Sequence, residues 1–160
     1  EKKIALMSGS FQTFSSPSGY IESTKVLMFN DTNNKAEAIG KVKLILANKT
    51  KIYADNIKAD FTGKAKTLQK AIAKGNVIIE NNDQGKKSKA DLGIYNSSNE
   101  TIELRGNVVI INQGSTIIGS QGITNIKTGT SKITGNPGKR ERVKGVFSPT
   151  KKSKKGDKSE

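Results

Sequence analysis

Three segments of this chain align without a gap. They are Ala36-Glu37-Ala38-Ile39-Gly40-Lys41-Val42-Lys43-Leu44, Ala71-Ile72-Ala73-Lys74-Gly75-Asn76-Val77-Ile78-Ile79 and Ile102-Glu103-Leu104-Arg105-Gly106-Asn107-Val108-Val109-Ile110. In each copy the first, third, seventh and ninth residues are apolar and the fifth is Gly. Apolar residues at a period of two mark a strand with one buried face, and recurrence after 35 and then 31 residues marks one supersecondary unit used repeatedly. The chain is therefore expected to be all-β and antiparallel.

An aromatic residue, Phe29, Phe61 or Tyr95, closes the strand before each repeat, and a stretch rich in Asn, Asp, Gly and Ser follows it. Such residues tolerate left-handed backbone or hydrogen-bond their own main chain, so each stretch predicts a hairpin turn. A degraded fourth copy follows: Ile123 to Ile126, a turn at Lys127-Thr128-Gly129-Thr130, then Ser131 to Gly135. The unequal intervals count against a regular solenoid.

The glycine inside each repeat predicts a bend or bulge, because Gly in a strand interior otherwise weakens it. Around Gly106 the pattern changes. Ile102 and Leu104 alternate with polar residues before it, whereas Val108, Val109, Ile110 and Ile111 after it form a continuous run, expected to be covered on both faces. Ser115 to Ile126 repeats the theme with Gly119 and Gly122. Long strands bent at Gly and shared between two sheets describe a jelly roll or a bent sandwich.

Alternation selects an inward set of small and medium aliphatic residues: Ala36, Ala38, Val42, Leu44, Leu46, Ile57, Ala59, Ala71, Ala73, Val77, Ile79, Ala90, Leu92, Ile94, Ile102, Leu104, Val108, Ile110 and Ile118. Between two sheets these residues can pack on each other or leave a channel for a flexible acyl chain, and the pattern leaves both open. With no Cys and no His in the chain, thiol, disulfide and imidazole chemistry are excluded and the commonest zinc ligands are missing. The acids Asp55, Asp60, Asp91, Glu100 and Glu103 sit on polar faces or beside turns, so no catalytic site, metal site or cofactor is expected.

The net charge of +14 points to an anionic partner, and six of those charges fall between Lys139 and Glu160. Residues 150–160, Lys-, Ser- and Gly-rich without aromatics, are expected to be a disordered basic tail. Residues 1–19, with Ser8-Gly9-Ser10 and Ser15-Ser16-Pro17-Ser18-Gly19, are expected to be a poorly ordered N-terminal segment, leaving 20–149 as one domain. No run of about 18 apolar residues is present to span a bilayer as a helix. Ile4-Ala5-Leu6-Met7 is too short for the apolar stretch of a secretory signal, which leaves a cytoplasmic chain or an already processed one.

Five stretches carry a resemblance in their order and spacing: Ala71 to Val77, Lys89-Ala90-Asp91 to Tyr95, Leu104-Arg105-Gly106-Asn107-Val108, Gly114 to Gly119, and the basic ending Gly138 to Pro149 with Arg-Val-Lys-Gly-Val-Phe. Over roughly residues 20–149 the chain resembles the OstA-like family of lipopolysaccharide-transport proteins. The resemblance implies a V-shaped β-jellyroll in the periplasm that carries lipopolysaccharide between membranes and performs no chemistry. Acyl chains of lipid A would lie against Val42, Leu44, Leu46, Ile57, Ala59, Phe61, Ala73, Val77, Ile79, Leu92, Ile94, Leu104, Val108, Ile110 and Ile118. Lys41, Lys43, Lys74 and Arg105, which flank the glycine corners, would form a rim for the anionic head group.

Strands Tyr20 to Phe29 and Arg140 to Phe147 would be the open edges, offering Ile21, Val26 and Phe29 at one end and Arg140, Arg142, Val143, Val146 and Phe147 at the other. An unpaired edge recruits another chain, so head-to-tail oligomers are expected, with docking to an LptC-like inner-membrane component and an LptD-like outer-membrane component. The alternatives are the periplasmic domain of such a relative, or a basic β module that binds nucleic acid.

Overall fold

The computed structural model describes residues 4–81, 83, 85–135 and 142–146. Twelve strands follow one another: β1 (Ile4–Ser8), β2 (Gln12–Ser16), β3 (Gly19–Ser23), β4 (Val26–Asn30), β5 (Lys35–Leu46), β6 (Lys51–Thr62), β7 (Thr67–Asn81), β8 (Lys86–Asn96), β9 (Thr101–Asn112), β10 (Ser115–Asn125), β11 (Ser131–Thr134) and β12 (Lys144–Val146). All pair antiparallel in the order β1-β4-β5-β6-β7-β8-β9-β10-β11, with β2 on β3, β3 also on β5, and β12 on β10. The expected hairpins β4–β5, β6–β7 and β8–β9 form, and the degraded fourth copy makes β10–β11.

The branching of β5 and β10 shows how two layers arise from one sheet. The first half of β5 pairs with β4 and its second half with β3. Likewise the first half of β10 pairs with β12 and its second half with β11. Each of the six long strands β5 to β10 thus crosses from one layer to the other. Layer A holds β1, β4, the first halves of β5, β7 and β9, the second halves of β6, β8 and β10, and β11; layer B holds β2, β3, the remaining halves and β12.

The repeat glycines mark these crossings. Gly40 (φ 85°) with Lys41 (φ 44°), Gly75 (76°) with Asn76 (48°), and Gly106 (74°) with Asn107 (48°) form successive left-handed pairs, where the register with neighbouring strands slips. Left-handed backbone is costly for most residues and least so for Gly and Asn, which explains Gly-Asn in two of the three copies. Inward residues across these crossings are four apart: Ala38 to Val42, Ala73 to Val77, Leu104 to Val108. On the intervening strands they are three apart, Ala54 to Ile57 in β6 and Ala90 to Gly93 in β8.

The three-residue step reverses the alternation on β8, and the inward positions beyond Asp91 are Gly93 and Tyr95. Leu92 and Ile94, expected inside, lie on the outer face opposite Lys74 and Ile72. Ile118 is a second departure, 41% exposed and paired with Val109 on the outer face of layer B. Its neighbour Ile117 pairs with buried Ile110 instead.

Within the N-terminal segment, residues 4–8 form β1 and 12–16 form β2. β1 pairs with β4 through Ile4↔Asn30 to Ser8↔Val26, and β2 with β3 through Gln12↔Ser23 to Ser16↔Gly19. Backbone pairing holds these strands, with one side chain from each packed on the core, Met7 of β1 and Phe14 of β2. Gly19 (φ 136°) closes the turn between β2 and β3 where a Cβ would stand 1.9 Å from the Ile45 carbonyl oxygen. The N-terminal edge is therefore β1 and β2. Ile21, 1% exposed between Phe14 and Leu44, together with Val26 and buried Phe29, is interior to the sheet.

Candidate functional site

The inner faces of the two layers enclose one continuous apolar cluster. Val42, Leu44, Leu46, Ile57, Ala59, Phe61, Ala73, Val77, Ile79, Leu104, Val108 and Ile110 are all buried in it, as expected. These residues pack directly on one another. At Gly93 of layer A the missing side chain leaves room for Val77 and Ile79 of layer B, and a Cβ there would meet Val77 Cγ1 at 3.1 Å. The space among Phe14, Ile21, Leu44, Phe61 and Leu68 has no room for a water molecule.

Three phenyl rings close the N-terminal end. Phe14 of β2 stacks on Phe29 of β4 with centroids 4.7 Å apart, and its edge meets Phe61 of β6 at 5.3 Å, so one ring of layer B ties two strands of layer A. Lys66 covers the assembly: its Nζ lies 5.3 Å from the Phe29 centroid and bonds Asp31 Oδ1 at 2.5 Å and the side chain of Asn34. Beside the rings, Ser18 in the β2–β3 turn accepts a hydrogen bond at its Oγ from the Leu68 amide (3.0 Å), and its carbonyl accepts from the Ala47 amide (2.9 Å).

Next to this closure the far ends of the layers part. A recess of about 400 Å³ opens there between the layer B turns at Pro17-Ser18 and Ala47-Asn48 and the layer A residues Leu68, Tyr95 and Ile126. Its floor is apolar, with Leu46, Leu68 and Ile126 all largely buried. Burial raises the pKa of the Tyr95 phenol, the charge of Glu100 adds to the rise, and the ring stays neutral. Glu100 at the lip pairs with Lys127 at 3.5 Å.

The expected rim residues are not at this opening. Lys41 and Lys74 are exposed at the crossings and Arg105 pairs there with Glu103 at 3.1 Å, at the opposite ends of the half-strands from the recess. Lys43 projects from the outer face of layer B to Glu22 at 3.3 Å. Burial opposes its charge, but the hydrogen bond to Glu22, the charge of Glu22 and the nearby Tyr20 and Tyr53 together outweigh this, and its pKa lies above the ordinary lysine value. Of the C-terminal edge residues, Val146 lies in β12 opposite Thr116, Arg142 and Val143 precede it exposed, and Arg140 and Phe147 lie outside the described residues.

Pattern reasoning missed Phe14, Leu68 and Ile126. Phe14 stands alone between polar residues, Leu68 lies just outside its repeat, and Ile126 ends the degraded fourth copy, so only an alternation extended across the turns could have placed them inside. No group of three or more acidic residues able to hold a metal ion occurs among the described residues.

A bent two-layer antiparallel sheet that stays open at its outer strands, with an aliphatic interior and a recess between its far ends, is a β-jellyroll. Residues 20–130 match the family of the LptA/(LptD N-terminal domain) LPS transport protein, and the chain belongs to that family. Among solved structures it is similar to the crystal structure of LptH, the LptA homologous periplasmic component of the lipopolysaccharide transport device from Pseudomonas aeruginosa. The TM-score is 0.65 at 13% identity, covering 92% of this chain and 96% of that one, a likeness of fold. No curated protein matches the chain.

Proposed function

We propose that this chain is a periplasmic carrier of lipopolysaccharide that takes the acyl chains of lipid A between its layers and passes them along a path shared with neighbouring copies and with membrane-bound partners of the same transport system. The observation that supports this reading best is the recess, where the apolar interior reaches solvent beside Leu46, Leu68, Tyr95 and Ile126. Burial of each methylene is worth ~0.8 kcal/mol, so a few acyl carbons seated there offset a modest parting of the layers. The interior is closed beyond the recess, and loading requires layer A and layer B to separate at their far ends. The crossings, fixed by the left-handed pairs, would serve as the spine. Head-to-tail joining would use β1 and β2 at one end and β11 and β12 at the other, since these strands leave backbone donors and acceptors free. A nucleic-acid reading loses its support, because Phe14, Phe29 and Phe61 are occupied by each other and offer bases no platform.

Photo-crosslinking tests the reading. Crosslinkers at Leu104, Val108 and Ile79 are expected to capture lipopolysaccharide, while those at Leu92, Ile94 and Thr101 are not. Equal capture from both sets would overturn the inter-layer site.

A further inference from the structure

No further layer backs layer B among the described residues: the apolar run after Gly106, expected to be covered on both faces, is covered on one, with Val109 and Ile111 partly exposed on the outer face. What holds layer B on layer A therefore lies between them. At the N-terminal flank this falls to β2 and the turn after it. Phe14 reaches across to Phe29 and Phe61, and Ser18 is bonded to both layers, to Leu68 through its Oγ and to Ala47 through its carbonyl.

The same two residues separate two spaces. The closed one, without room for water, is lined by Phe14, Ser18, Ile21, Leu44, Phe61 and Leu68. Ser18 and Leu68 also line the recess of about 400 Å³. Their hydrogen bond is a wall shared by the open recess and the closed interior, and Phe14 plugs the inner side of that wall.

The strand that carries the plug is weakly held. β2 has five residues and pairs with β3 alone among the described residues. Of its inward side chains, Gln12 is 7% exposed and its Oε1 lacks a hydrogen-bond partner among the described residues, while Ser16 bonds its own turn at the Gly19 carbonyl (3.2 Å). A buried acceptor left unpaired gains a partner from water when its strand lifts, and segments with few buried apolar contacts open first. β4, across the interior, is paired on both sides, with β1 and β5, and buries Leu27 and Phe29.

We infer that β2 and the Pro17-Ser18 turn form a latch on the interior. When β2 peels from β3, Phe14 leaves Phe29 and Phe61 and the Ser18–Leu68 bond breaks. Recess and interior then become one cavity, in which a hydrocarbon chain takes the place of the phenyl ring. The latch presupposes the inter-layer acyl site proposed above and supplies the element that controls entry to it.

The chain has no Cys, so T13C/E22C, at residues directly opposite on the outer face of β2 and β3, forms the sole disulfide and pins the strand without touching the interior. Hydrogen exchange of the lipid-free protein reads the latch itself. The Leu68 amide is expected to exchange together with the β2–β3 amides, about ten-fold or more faster than amides at the centre of β9. Oxidised T13C/E22C should slow both by about the same factor, and reduction should restore them. S18A should speed exchange at Leu68 and leave the centre of β9 unchanged. Loading is read by the time course of lipid A capture at a Val108 crosslinker, expected to slow about ten-fold or more in oxidised T13C/E22C and to recover on reduction. A Leu68 amide as protected as the centre of β9, or capture equally fast in the oxidised and reduced forms, would overturn the latch. Absence of capture in both forms would overturn the acyl site instead, and the exchange rates, taken without lipid, would still decide whether β2 opens.

Discussion

The strands carrying Gly and the strands carrying Asp solve the same geometric problem differently. β5, β7 and β9 change layer through two left-handed residues, keeping four residues between inward side chains; β6 and β8 do so in three, with Asp55 or Asp91 at the corner. The two solutions interlock. Asn76 donates from its side chain to Asp55 Oδ2 at 2.8 Å, and Asn107 to Asp91 Oδ2 at 2.8 Å. A Cβ on Gly75 would stand 2.5 Å from the Asp55 carboxylate, and one on Gly106 2.4 Å from that of Asp91. Gly40 is the variant, for its corner meets the Lys25 side chain, and its carbonyl accepts from Thr24 Oγ1 at 2.7 Å. The lesson is that a strand keeps or reverses its inward parity according to which kind of corner it carries.

The strongest test of that parity is a charge placed on either side of it. Leu104→Lys is expected to bury an unpaired ammonium and cost more than about 4 kcal/mol. Ile94→Lys, on the outer face opposite Glu103, should stay within about 1 kcal/mol. Urea unfolding of the two variants would show it, and equal losses would mean that β8 runs through its corner without reversing.

The corner glycines come next. Gly106→Val should cost about 3 kcal/mol through left-handed strain and collision with Asp91. Gly40→Val should cost about 1 to 2 kcal/mol, because the Lys25 stem it strikes at Cγ and Cδ is exposed and can turn aside, whereas the Asp91 carboxylate is held by Asn107. Thermal melts would rank them, and a reversed order would show that the carboxylate is not what crowds the corner.

The smallest expected effect is the most specific. Asp91→Ala alone should cost about 1 kcal/mol for the lost hydrogen bond at an exposed site. In a Gly106→Ala background the same change should cost nothing or restore stability, because it removes the atom that the new Cβ strikes. A double-mutant cycle with no coupling would separate the glycine from the aspartate.

The repeats, hairpins and bend at Gly106 were legible because alternation and Gly-Asn each have one physical meaning in this setting. Leu92 and Ile94 were not, since a strict period of two carries no sign that Asp91 resets the count. Nor was the pairing of residues 4–16: β1 and β2 are held by backbone pairing and one core side chain each, Met7 and Phe14, and main-chain hydrogen bonds leave no side-chain pattern. The inward half of the site could be read, but the recess arises from how the far ends of the two layers meet across about fifty residues of sequence, from Ser18 to Leu68.

From β5 to β11 every strand is laid beside the one made just before it, whereas β4 joins β1 and β3 reaches forward to β5. Contacts in this all-β chain are consequently close in sequence, and contact order governs how fast such chains find their structure. Each hairpin can zip onto the edge left by its predecessor, so the chain is suited to ordering progressively as it emerges from a ribosome or a translocation pore. Growth by duplication follows the same logic: one more hairpin with a Gly corner and an Asp corner would lengthen the interior by two strands and leave the earlier pairings untouched.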